Sequence, residues 1–326
     1  MKFSSLFNIT LTILLAFVVN SFVYFSFANT YSSTILNYEN FSQQFQSGIY
    51  QYRILSGHLL LGIYDFLSAL NLNYEVFKFK FIDENSEPQM LLSFFLLNSI
   101  FLVFSVIVMN LITKLKTFGA TSKEKLLLII SAVFFIVLSQ FVLVPYDNSS
   151  YFFLLLFFYL LIKYVEKPST LKLLILGVLI VVSTINRESS ALSLALAATL
   201  LFSKYKLKKQ SILPIAFLGI VFVITYVALR FSSENFTTND GNLFFENLTQ
   251  PKNSLGLLFW VVSYGLCLAL SKSKKQIRAI NVFHLFSLPY ILMCFYSGIL
   301  YEIRLYIPLF LTSLFLTQLD FEEKSE

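Results

Sequence analysis

The sequence predicts an all-α, polytopic integral membrane protein with about ten transmembrane helices, and three observations carry that prediction. Of its 326 residues, 57% are hydrophobic and the mean hydropathy is +0.74. The 24 Lys and Arg and 18 Asp and Glu together make up only 13% of the chain, against roughly 25% in soluble domains. Runs of about 20 apolar residues, the length that crosses a bilayer core, recur from one end to the other. A soluble enzyme of this size needs more polar surface than these residues supply. The unbroken apolar runs also exclude a β-barrel, whose strands alternate apolar and polar residues. Cys267 and Cys294 lie inside apolar runs, so no disulfide framework is indicated.

The first span, 7–28, follows Lys2. Ser26-Phe27-Ala28 resembles a signal-peptidase site, but the apolar run from Leu6 to Ala28 is long for a signal core, so a retained span is expected. A long outer loop, 29–89, follows. Within it Leu55, Leu59, Ile63, Phe66 and Leu70 recur at helical spacing, while His58 and Asp65 share another face. This predicts an amphipathic helix over 54–72 on the outer membrane surface. The remaining spans are expected at 90–112, 126–145, 151–165, 172–185, 189–203, 211–231, 255–271, 279–300 and 305–319. The pair 172–185 and 189–203 reads as a hairpin turning at Asn186-Arg187-Glu188, and 232–254 is the second long outer loop. Pro145, Pro214, Pro289 and Pro308 read as kinks or helix ends. No repeat or separate soluble domain interrupts the chain, so 1–326 is read as a single transmembrane domain.

Charge sets the orientation. With the N-terminus inside, the cytoplasmic side holds 17 of the 24 basic residues and 6 of the 18 acidic ones. Lys114, Lys116, Lys163, Lys167, the cluster Lys204 to Lys209, Lys272, Lys275, Arg278 and Lys324 all fall there. The bias predicts both termini inside.

The outer charges have a different pattern. Four of the seven outer basic residues are arginines, and three of these stand near acids at helix ends. Arg53 follows Glu39 in the first loop, Arg187 and Glu188 form the hairpin tip, and Glu302 and Arg304 precede the last span. Asp147 caps the turn between the third and fourth spans. Charge near hydrocarbon costs a few kcal/mol, so such groups are usually paired or functional. The planar guanidinium fork suits phosphate, and a carboxylate beside it suits general-base work on a hydroxyl. The ordinary alternative is a set of interfacial ion pairs closing helical hairpins. His284, inside the ninth span, reads as a packing residue. With only two histidines, multi-histidine metal chemistry is not indicated. Asn40, Asn148, Asn235 and Asn247 head Asn-x-Ser/Thr sequons on the outer side.

Three short motifs carry a family resemblance. They are an acid in a long first outer loop followed by Gly48-Ile49-Tyr50-Gln51-Tyr52-Arg53-Ile54-Leu55, the Asn186-Arg187-Glu188 tip, and Tyr301-Glu302-Ile303-Arg304-Leu305-Tyr306-Ile307-Pro308 before the final span. Together they resemble the GT-C-fold polytopic glycosyltransferases, which take a sugar from a polyprenyl-phosphate donor on the outer face of the membrane. The resemblance implies a bacterial cytoplasmic (inner) membrane enzyme of cell-envelope polysaccharide assembly, with the site on the extracytoplasmic side. Its partners would be a lipid-linked sugar donor, a glycan, lipid or protein acceptor, and membrane lipids, with no nucleic acid. It would make Glu39 the candidate base, with Asp147 or Glu302 as replacements. Arg53 would line the first-loop site, and Arg187 and Arg304 would hold phosphate, oriented by Glu188 and Glu302. His58 and Asp65 are candidates for the same site from their shared helix face near Arg53 alone. No cofactor is required, although a divalent cation, Mg or Mn, bridging carboxylate and phosphate fits the same chemistry. The alternatives are a polysaccharide polymerase or ligase acting on a diphosphate-linked glycan, a transporter or flippase, and a non-catalytic membrane subunit.

Overall fold

The computed structural model describes residues 3–75, 80–233, 236–238 and 241–320; Lys2, Lys324 and the sequon at Asn235 lie outside them. Among the described residues the chain is all-helical, with no strand. The helices are α1 (Phe3–Tyr31), α2 (Tyr38–Phe45), α3 (Ile54–Ala69), α4 (Pro88–Ile112), α5 (Ser122–Leu138), α6 (Asp147–Glu166) and α7 (Thr170–Asn186). They continue with α8 (Ala191–Tyr205), α9 (Lys209–Phe231), α10 (Phe244–Thr249), α11 (Pro251–Leu270), α12 (Lys274–Phe286), α13 (Leu288–Ser297) and α14 (Ile307–Leu316).

Local chemistry fixes many of the ends. Thr121 with Glu124 and Ser273 with Gln276 form capping boxes that start α5 and α12, and the Ser169 hydroxyl caps α7. Pro88, Pro251, Pro289 and Pro308 sit in first turns, where the missing N–H costs nothing. Pro289 also explains a departure from expectation. The ninth span, expected as one helix over 279–300, is a broken pair, α12 and α13, bent by 50°, because a proline ring clashes with the carbonyl four residues earlier.

Among the described residues six helices are long and apolar enough to cross a membrane, or seven if the bent pair is one span. The shortfall from ten has a geometric cause. At about 1.5 Å per residue, the 17 residues of α7, 15 of α8 and 10 of α14 do not reach across roughly 30 Å of hydrocarbon. Every residue of α14 is buried, enclosed by α5, α6, α11 and α12.

Hydrogen bonds and ion pairs tie the loops into two separate ends. At one, Gly119 N donates to Gln318 O at 2.8 Å, Lys272 pairs with Glu124 at 2.7 Å, and Lys204 Nζ reaches Val165 O at 2.6 Å. This is the lysine-rich end. At the other, the end of α1, the starts of α3, α6, α8, α11 and α14, and the ends of α7, α9 and α13 come together. The helix expected over 54–72 is α3, which packs against α4 and α7 and buries Ser56, Gly57, Leu60 and Leu67. Leu59, Phe66 and Leu70 face away from the protein. Two short helices, α2 and α10, arise in segments expected to be loops.

Candidate functional site

Three arginines and three carboxylates meet at the second end. Asp147, in the first turn of α6 where the helix N-terminus favours an anion, is fully buried. It pairs with Arg187 Nη1 through one oxygen and with Arg304 Nη1, at 3.4 Å, through the other. Arg304 also donates Nε and Nη2 to Glu302 Oε2, at 2.7 and 2.6 Å. Arg53 pairs with Glu188 through Nε and Nη2. The aromatic face of Tyr146 carries two of the cations, with Arg53 Cζ 4.3 Å and Arg187 Cζ 5.2 Å from its centroid.

The hairpin tip differs from the sequence expectation that Glu188 orients Arg187. Arg187 has extended backbone, φ −168° and ψ 143°, so neighbouring side chains point to opposite sides. Arg187 therefore turns to Asp147 while Glu188 turns to Arg53. Burial alone would raise the Glu188 carboxyl, but the Arg53 and Arg187 guanidiniums hold it down at about 2. Asn186 locks this turn. Its Oδ1 accepts from Ser149 Oγ at 2.9 Å and from Ser56 Oγ, and its Nδ2 donates to Ser150 Oγ at 3.0 Å.

The turn carrying Glu302 and Arg304 is held as firmly. Tyr151 OH donates to Arg304 O at 3.1 Å and Tyr290 OH to Leu305 O at 2.8 Å. Asn247 Nδ2 donates to Phe295 O and Gly298 O, and Asn253 Oδ1 accepts from Tyr301 N. The turn also lies directly on Gly256 of α11. A Cβ there would stand 1.6 Å from Leu300 O and 2.6 Å from Leu300 C, both backbone atoms. Gly256→Ala is therefore expected to cost at least about 1–3 kcal/mol in thermal unfolding of the detergent-solubilised protein. Gly265→Ala, on the same helix with nothing within 4 Å, should cost nothing; equal effects would refute the contact.

A cavity of about 570 Å³ opens onto this cluster. Arg53, Arg187, Arg304, Glu188 and Glu302 all line it, with Tyr50, Tyr226 and Tyr290 and the apolar side chains of Met293, Ile299 and Leu305. Arg187 uses Nη1 on Asp147 and keeps Nε and Nη2, one parallel fork, uncommitted among the described residues. Such a fork matches two oxygens of one phosphate.

Three of the residues singled out from sequence are not brought here. Glu39 is exposed in the first turn of α2, with Gln43 Nε2 3.4 Å away, and lines no cavity with the arginines. The reason is the Asn37 side chain, which caps α2 through Glu39 N and Asn40 N and starts the helix with Glu39 facing outward. Asp65 is exposed on α3, and His58 is exposed there with its ring edge on Phe45, centroids 5.2 Å apart. The sequons at Asn148 and Asn247 are buried, with their amides bonded to Asn98 O and to the Gly298 turn. His284 packs against Tyr264, 4.6 Å between centroids, with Nδ1 3.0 Å from Ile280 O.

Sequence reading missed the tyrosines. Tyr31 OH donates to Glu302 Oε1 at 2.7 Å and lies 2.6 Å from Tyr301 OH. The adjacency of Tyr146 to Asp147 was the available signal. Among the described residues, no group of three or more His, Cys, Asp or Glu stands close enough to hold a metal ion. Arg304 stands between Asp147 and Glu302 and pairs with both. No protein-family model matches the chain, and no curated protein matches it by sequence.

Proposed function

We propose that this chain is a membrane glycosyltransferase of GT-C type, transferring a sugar from a polyprenyl-phosphate donor on the extracytoplasmic face of a bacterial cytoplasmic membrane. In this reading the lysine-rich end faces the cytoplasm, both termini lie inside, and the chain passes between the two ends about ten times, with α7, α8 and α14, too short to cross lipid alone, making their passages packed within the bundle. The observation that carries the reading is the convergence of Arg53, Arg187 and Arg304 with Glu302 on one cavity.

The donor phosphate sits against the free Nε–Nη2 fork of Arg187, with Arg53 and Arg304 beside it. The apolar wall of α13 and Tyr226 receives the first part of the lipid chain. Glu302 is the general base. Asp147 is fully buried and shared by two guanidiniums, so it is a positioning residue, and Glu39 lies away from the cavity. An acceptor hydroxyl attacks the anomeric carbon, its proton passes to Glu302, and the bond from that carbon to the phosphate oxygen breaks. The leaving monoester gains a negative charge as it departs, and the arginines stabilise it. Direct displacement inverts the anomeric configuration. No step is routed through a metal.

The test is equilibrium binding of a polyprenyl monophosphate to the protein in nanodiscs. Arg187→Ala should lose about tenfold or more of the affinity, the worth of charge-assisted hydrogen bonds. Arg187→Lys, with charge but no fork, should lose most of the same. Wild-type affinity in both variants would overturn the assignment.

A further inference from the structure

A second cavity, of about 160 Å³, lies on the other side of Glu302. Tyr50, Glu302 and Arg304 line both cavities, which adjoin at these side chains. The two oxygens of the Glu302 carboxylate are divided accordingly. Oε2 is held by Arg304, whereas Oε1 accepts from Tyr31, which lines only the smaller cavity. The base proposed for the reaction therefore has one oxygen on the arginine side and the other bonded to a side chain of the smaller cavity.

The walls of that chamber have a definite chemistry. Tyr31, Phe41, Phe45, Tyr50 and Tyr146 supply aromatic faces, and Gln44, Thr34 and Glu302 supply hydrogen-bonding groups. The volume is below the roughly 300–1,000 Å³ of pockets that take drug-sized ligands, so it suits one small ring. Aromatic faces for C–H edges and amide, hydroxyl and carboxylate groups for a hydroxylated rim are what a pyranose needs. Ile35, Leu143 and Val144 also line it, but at that volume the cavity holds neither a polyprenyl chain nor a folded peptide segment.

We propose that the smaller cavity is the acceptor seat and that it takes a single saccharide ring, so that the acceptor is a glycan. This rests on the glycosyltransferase reading. The ring's hydroxyl gives its proton to Glu302 Oε1, its oxygen bonds to the anomeric carbon held in the larger cavity, and the phosphate leaves on the arginine side. Tyr31 links Oε1 to Tyr301 OH in one hydrogen-bond chain.

The experiment uses the full chain in nanodiscs and saturation-transfer NMR with methyl glycosides of glucose, galactose and N-acetylglucosamine. A polyprenyl monophosphate is titrated in parallel. At least one glycoside should receive saturation from the wild type. Gln44→Trp and Thr34→Trp, which fill the chamber from half-buried and exposed positions, should each weaken that glycoside about tenfold or more while polyprenyl phosphate binds as before. Undiminished glycoside binding in both plugged variants would overturn the proposal. So would a wild type that binds polyprenyl phosphate but no glycoside, an outcome that leaves the transferase reading standing with a lipid or protein acceptor. A wild type that binds neither overturns both.

Discussion

Glu302→Gln is expected to lower the turnover number about 100- to 10,000-fold, the range lost with a positioned general base, while polyprenyl-phosphate affinity stays within about threefold of wild type. The amide keeps the shape of the carboxylate, its oxygen can still accept from Arg304 and its NH2 can donate to the Tyr31 hydroxyl oxygen, so the turn between α13 and α14 should persist. What it loses is the ability to take a proton. A parallel Glu39→Gln variant should turn over at the wild-type rate, because Glu39 is exposed on α2 and lines no cavity with the arginines. The measurement is single-turnover transfer from a labelled lipid donor. Loss of turnover in Glu39→Gln with retention in Glu302→Gln would reverse the assignment.

Asp147→Leu should produce the largest loss of stability of any single substitution in the cluster. Its carboxylate is fully buried and paired with both Arg187 and Arg304. Removing one partner of a buried ion pair leaves an uncompensated charge and costs about 3–5 kcal/mol. Arg304 retains Glu302, at 2.6 Å, so the stranded cation is chiefly Arg187. The double variant Asp147→Leu/Arg187→Leu should therefore be more stable than Asp147→Leu alone, since no buried cation is then left without a partner. Equilibrium unfolding in mixed micelles measures both, and a double variant less stable than the single one would contradict the pairing.

The parts of the fold legible in the sequence are those governed by local chemistry. Apolar runs bounded by lysines and prolines locate α4, α6, α9 and α11 to within a few residues, because each boundary carries its own cap or charge. Span length was not legible in the same way. The run at 305–319 reads as apolar regardless of whether lipid or protein surrounds it, and only packing reveals that the ten residues of α14 are enclosed. The site divides similarly. Arg53, Arg187, Arg304, Glu188, Glu302 and Asp147 stand out because charge is scarce in this chain. Which acid meets which arginine depends on the extended backbone at Arg187 and on long-range packing of α3, α6 and α14. Tyr31 was hidden among 18 tyrosines, since nothing in its neighbours shows where its hydroxyl will point.

The central claim is that the two sides of Glu302 exchange a sugar. It is tested most directly by reconstituting the chain in lipid vesicles with a polyprenyl-phosphate hexose labelled in the sugar and a free oligosaccharide acceptor. The account predicts that label passes from the lipid to the oligosaccharide, with inverted configuration at the new bond. Label that stays on the lipid, in vesicles where the folded protein binds both compounds, would contradict it.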